Sequence, residues 1–146
     1  MPDDGADLQL VIPGDALAVR HALRAMVEAL THRGLQACDR GTAEIVMAEV
    51  LNNIVEHAFE GRQGEIEVTI RLGAGDLHCR VVDDGQPLPG EALPEGRAPP
   101  VPPEGEAAEG GFGWFLIRSL SQDLCYRRCG GRNLLSFRLV KTPGCA

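Results

Sequence analysis

The sequence predicts a two-layer α+β sandwich: a mixed, mostly antiparallel sheet covered on one face by about three helices. Three observations predict it. Apolar spacing alternates in some stretches and steps by three and four in others, so strands and helices both occur. Glycine turns separate neighbouring strand patterns, which favours antiparallel hairpins. The chain has 146 residues, 44% of them hydrophobic, which suits a single domain, residues 1–146, with a modest core. Helices laid over a sheet bury all of these apolar faces at once.

Leu8 to Ile12 is a short apolar strand ended by Pro13-Gly14. Asp15 can N-cap a helix reaching to about Arg33, with Val19, Leu23, Met26 and Leu30 on one stripe and Gly34 as its stop. Ala43 to Phe59 reads as a second, nearly apolar helix entered near Gly41-Thr42. Ile66, Val68 and Ile70 alternate with polar residues, as do Leu77, Cys79 and Val81, and Gly73-Ala-Gly75 turns the chain between them. Trp114 to Leu120 is a third helix. Leu124 to Arg128 and Asn133 to Val140 close the chain as strands around Gly130-Gly131.

Residues 86–111 break every period. Most of the prolines gather there, with glutamates against a single arginine. So long a structureless segment in a small domain reads as a mobile lid over a ligand, or else as a disordered insertion.

The net charge is −7, with acids spread through the chain, which argues against direct nucleic-acid binding. The start, MPDDGADLQL, lacks the apolar core of a signal peptide, and no apolar run approaches the ~20 residues of a membrane span. A cytoplasmic protein with no membrane contact is expected. The five cysteines form no zinc pattern and are expected to be free thiols.

The polar residues of the second helix carry the chemistry. Glu49, Asn53 and His57 follow one another at i, i+4 and i+8, which draws one polar stripe down an otherwise apolar helix. Buried polar groups need partners, because unpaired burial costs roughly 1–3 kcal/mol per group. Glu49 and Asn53 together therefore suggest a ligand site, while Glu56 suits a solvated face. Asp83-Asp-Gly85 ends a strand, where a carboxylate can accept from an exocyclic amine. Gly111-Phe-Gly113 opens a helix, where backbone N–H groups and the helix dipole favour phosphate. A P-loop and the protein-kinase signatures are both absent.

Taken in order, Glu-x-x-x-Asn on a helix, Asp-x-Gly at a strand end, a long lid and Gly-x-Gly at a helix start resemble the N, G1 and G2 boxes of the GHKL ATP-binding superfamily, whose fold is the Bergerat type. Glu49-Val-Leu-Asn-Asn53-Ile-Val-Glu-His57-Ala-Phe, Gly110-Gly-Phe-Gly-Trp-Phe-Leu-Ile-Arg and Gly131-Arg-Asn-Leu-Leu look like the anti-sigma factor serine/threonine kinases within it. The resemblance covers residues 8 to 141. It implies ATP and Mg²⁺ as cofactors. It makes Glu49 the general base, Asn53 the magnesium ligand and Asp83 the reader of the adenine amine. Gly85 would shape the purine pocket, and Gly111 and Gly113 would cradle phosphates. It implies a STAS-type anti-anti-sigma protein as substrate and a sigma factor as a second partner, and it leaves room for a homodimer. Pro87 departs from the pattern by standing where a fuller G1 box has a second glycine. Two other readings compete: a non-catalytic module that binds nucleotide and sequesters a partner, and a detached histidine kinase catalytic domain. The retained Glu49 and Asn53 argue against the first, and the missing phosphoacceptor helices argue against the second.

Overall fold

The computed structural model describes residues 7–96 and 113–143. Strand β1 (Leu8–Pro13) leads into helices α1 (Ala16–His32) and α2 (Ala37–Asn53). A π-helical turn, Ile54–Phe59, continues α2. Strands β2 (Glu65–Leu72) and β3 (Asp76–Asp83) follow, then helix α3 (Gly113–Leu120), then β4 (Gln122–Cys129) and β5 (Arg132–Val140). The five strands form one sheet in the order β1-β2-β3-β5-β4, and every pairing is antiparallel. The expected two-layer sandwich is therefore present, with α2 in contact with both α1 and α3.

Alternation decides which sheet face is buried. Ile66, Val68 and Ile70 of β2, Leu77, Cys79 and Val81 of β3, and Leu135, Phe137 and Leu139 of β5 all point to the helices and are buried. Val19, Met26 and Leu30 of α1 and Val46, Met47, Val50 and Leu51 of α2 meet them. Asp15 caps α1, accepting from the Ala18 amide at 2.8 Å. The helix closes in a Schellman turn: Gly34, at φ +84°, donates to Thr31, and Leu35 donates to Leu30 at 3.0 Å.

Three details depart from the sequence reading. Helix α2 starts at Ala37, so Gly41 lies inside it and not at its entry. A glycine inside a helix costs only about 1 kcal/mol. Asp39 compensates in the first turn, where its buried carboxylate accepts from the Thr142 amide at 3.0 Å. The far end of α2 changes to π geometry after Asn53, and Glu60 leaves it at φ 47°. This turn carries Phe59 into a slot against Gly14 and Gly64, where a Cβ on either glycine would collide with the ring. Finally, Cys79, Cys125 and Cys129 are free thiols but Cys38 is disulfide-bonded, which corrects the expectation for that residue. Burial pushes the Cys79 thiol up to about 12, so it serves as core and not as a nucleophile.

Candidate functional site

The last turn of α2 presents Glu49 and Asn53 to the first residue of α3. A Cβ built on Gly113 would lie 2.9 Å from Glu49 Oε2 and 3.5 Å from Asn53 Nδ2. Only a glycine lets the start of α3 come this close to both side chains. Asn53 Nδ2 is buried and, among the described residues, has no hydrogen-bond partner. Such an orphan is costly unless a ligand satisfies it. Turned over, the same amide offers a carbonyl oxygen beside a carboxylate, which is the oxygen chemistry that Mg²⁺ takes.

A cavity of about 380 Å³ opens from this point. Asn53, Ile54 and His57 line one side, Asp83, Asn133 and Leu135 the floor, and Leu88, Pro94, Trp114 and Tyr126 the other side. Glu49 and Gly85 are not among the lining residues. Glu49 reaches the site through its contact with Gly113. Gly85 supports it from behind: its Cβ would lie 2.7 Å from both Cβ and the carbonyl oxygen of Ala58. Gly111 lies outside the described residues, as does the lid beyond residue 96. His57, at the end of the stripe, stays exposed beside Glu56 at the cavity mouth.

Asp83 ends β3 and is only 4% exposed. Burial holds its carboxyl above the ordinary aspartate value. Hydrogen bonds from Asn133 and the Gly85 amide pull it back, Asp84 pushes it up again, and Arg128 lowers it. It donates nothing while ionised, so it can only accept from a ligand.

The first part of the expected lid, residues 86–96, is tied down. The Gln86 amide donates to Ala58 O at 2.8 Å, the Leu88 amide to the Tyr126 hydroxyl at 3.0 Å, and Arg118 Nε to Pro94 O at 2.8 Å. Sequence reasoning missed the residues that do this. Tyr126 and Arg128 donate to Asn133, which in turn donates to Asp83 and to Gln86 O, and Trp114 flanks the cavity. One signal was available: Asn133 occupies a core-facing position in the alternation of β5, where an apolar residue is the norm.

Among the described residues, no helix is long and apolar enough to cross a membrane. Residues 12–139 match the family model of the histidine kinase-like ATPase domain. The chain is 33% identical over 107 residues to the serine/threonine-protein kinase BtrW of Bordetella bronchiseptica, covering 71% of this chain and 72% of that one. It is 36% identical over 86 residues to the serine-protein kinase RsbW of Listeria innocua, which covers 56% of this chain. A second RsbW, from Oceanobacillus iheyensis, is 29% identical over 84 residues. The chain spans just over half the length of these two RsbW relatives, 54% and 53%. In shape it is similar to a crystal structure of RsbU and RsbW domains from Mycobacterium tuberculosis, with a TM-score of 0.62 at 18% identity. That match covers 92% of this chain and 32% of the solved one.

Proposed function

Because the chain belongs to the histidine kinase-like ATPase family, with RsbW and BtrW kinases as relatives, we propose that it is an ATP-dependent protein serine/threonine kinase of the anti-sigma type. One observation carries the reading. A carboxylate and an orphaned amide, one helical turn apart, meet the start of α3 at one end of a cavity whose floor holds a buried carboxylate.

In this reading the cavity takes the adenine, and Asp83 accepts from its exocyclic amine. The phosphates extend toward α3, where the N-terminal amides, with Gly111 and Gly113, receive them. Asn53 would hold Mg²⁺, which when bound neutralises phosphate charge. Glu49 takes the proton of a serine hydroxyl on the partner. The hydroxyl oxygen then bonds to the γ-phosphorus, the bond to the β–γ bridging oxygen breaks, and ADP leaves. The partner would be a STAS-type anti-anti-sigma protein, with a sigma factor as a second, unphosphorylated partner. Incubation with γ-labelled ATP and such a partner tests the reading. Label on a partner serine supports it. Binding of both without transfer would make the chain a sequestering module instead.

Asp83 makes a prediction that titration calorimetry checks. Adenine affinity should fall as pH drops through the carboxyl's raised value, because the protonated form loses its acceptor character toward the amine. The fall should therefore begin above the ordinary aspartate range, near 3.9. Asp83→Asn should bind ATP weakly and without that pH dependence, since an amide can turn its NH₂ against the adenine amine. Wild-type affinity in this variant would remove Asp83 from the role. A separate prediction concerns Asn53→Ala. Magnesium should then improve ATP binding much less than in wild type, while metal-free ATP binds about as before. Titrations with Mg²⁺ and with EDTA read the difference.

A further inference from the structure

Asn133 sits opposite Asp83 in the β3–β5 register and opposite Arg128 in the β4–β5 register. It is 5% exposed. Its Oδ1 accepts from the Tyr126 hydroxyl at 2.6 Å and from Arg128 Nη1 at 3.1 Å. Its Nδ2 donates to Asp83 Oδ1 at 2.9 Å and to Gln86 O at 2.7 Å. The amide cannot be turned over. Arginine only donates, so it requires the oxygen end, and the carboxylate and the carbonyl only accept, so they require the nitrogen end.

That orientation gives the network a direction. Tyr126 must spend its proton on Asn133, which leaves its oxygen to accept from the Leu88 amide at 3.0 Å. Arg128 Nη1 also donates to Gly85 O at 2.6 Å, which fixes the turn after β3. Asp83 Oδ1 receives a second donor, the Gly85 amide at 2.9 Å. Among the described residues both hydrogen bonds to the Asp83 side chain fall on Oδ1. Oδ2 is the oxygen left to meet a ligand.

Resting on the ATP reading above, we propose that Asn133 is the residue that sets base selectivity. It holds Asp83 so that one oxygen, as a pure acceptor, faces the cavity, and through Gln86, Tyr126 and Leu88 it ties the occupied base to the strap at residues 86–96. An adenine amine donates to this oxygen. A guanine carbonyl at the same place meets a second acceptor and is rejected. A filled base position holds Asp83, Asn133 and Tyr126 in place, so the Leu88 amide is held more firmly when nucleotide is bound. A buried network kept only for stability would leave both base choice and nucleotide-dependent protection unaffected.

The test is Asn133→Asp beside Tyr126→Phe. The first keeps shape and the acceptors for Tyr126 and Arg128, but turns the donor facing Asp83 into an acceptor. ATP and GTP are titrated against each protein by calorimetry, and exchange of the Leu88 amide is followed with and without ATP. Wild type should prefer ATP. In Asn133→Asp that preference should fall by about tenfold or more, as expected for one charge-assisted hydrogen bond of about 1.5 kcal/mol or more. Tyr126→Phe, which preserves the ring and its packing, should exchange faster at Leu88 and gain no protection from ATP. If wild type binds ATP selectively and a folded Asn133→Asp protein is equally selective, the role of Asn133 is overturned and the ATP reading stands. If Asn133→Asp does not fold, Tyr126→Phe decides alone: unchanged protection of Leu88 by ATP overturns the proposal. If wild type binds neither nucleotide, or both alike, the ATP reading falls and takes this inference with it.

Discussion

Glu49→Gln should lower phosphate transfer to a partner serine by about 10²–10⁴-fold, the range that a positioned general base contributes. ATP affinity should stay nearly unchanged. The amide matches the carboxylate in size, still hydrogen-bonds, and still fits against Gly113, which leaves no room for a larger group. What it cannot do is take a proton. The measurement is single-turnover transfer of γ-phosphate alongside nucleotide titration. The pairing matters because Glu49 touches the site only at its α3 end and does not line the cavity. A variant that binds normally and transfers at the wild-type rate would show that Glu49 is not the base. A variant that loses binding would place the carboxylate in ligand or metal capture.

Gly85→Ala should damage both stability and binding. The added methyl would meet the carbonyl oxygen and carbon of Ala58 at 2.7 and 2.8 Å, and these are backbone atoms that cannot rotate away. Either the π-helical turn or the end of β3 must shift. Overpacking of this kind typically costs 1–3 kcal/mol, a fall in Tm of roughly 3–10 °C for a chain of this size. The shift also stretches the Gln86–Ala58 hydrogen bond and moves the amide that holds Asp83 Oδ1, so ATP affinity should drop as well. Gly41→Ala is the contrast. It lies inside α2 with nothing within 4 Å of the new methyl, so it should stabilise by about 0.5–1 kcal/mol. Thermal melts of the two variants check the opposite signs.

Both predictions depend on features with unequal visibility in the sequence. The β2–β3 hairpin was plain, because strict alternation survives through both strands and a glycine turn joins them. So was α1, whose cap, stripe and stop agree. The start of α2 was not, because Gly41 looks like a breaker locally and the bond that secures Asp39 comes from Thr142, 103 residues away. The π turn was invisible, since the apolar spacing of Ile54, Val55 and Phe59 continues the helical period without a mark. Strand β4 was legible only in part. Its pairing slips between Gln122 and Cys125, and Asp123 adopts φ 55° there. In the site, Glu49 and Asn53 stood out because a carboxylate and an amide on an apolar helix are conspicuous, and Asp83 because Asp83-Asp-Gly85 closes an alternating strand. Tyr126 and Arg128 did not, because half-exposed polar residues on an edge strand have many ordinary uses.

The position of β5 has a consequence for how the protein is made. The strand is made after the other four, yet it is inserted between β3 and β4, and it brings Asn133 to Asp83. A nascent chain that has passed β3 but not yet β5 on the ribosome presents the edge of β3, with its backbone amides and carbonyls unpaired and its apolar face half covered. Asp83 then has no Asn133 beside it. The cavity beside Asp83 therefore cannot form until β5 has been made, and a ribosome-stalled fragment ending between β3 and β5 should bind no nucleotide and should tend to pair with other strands.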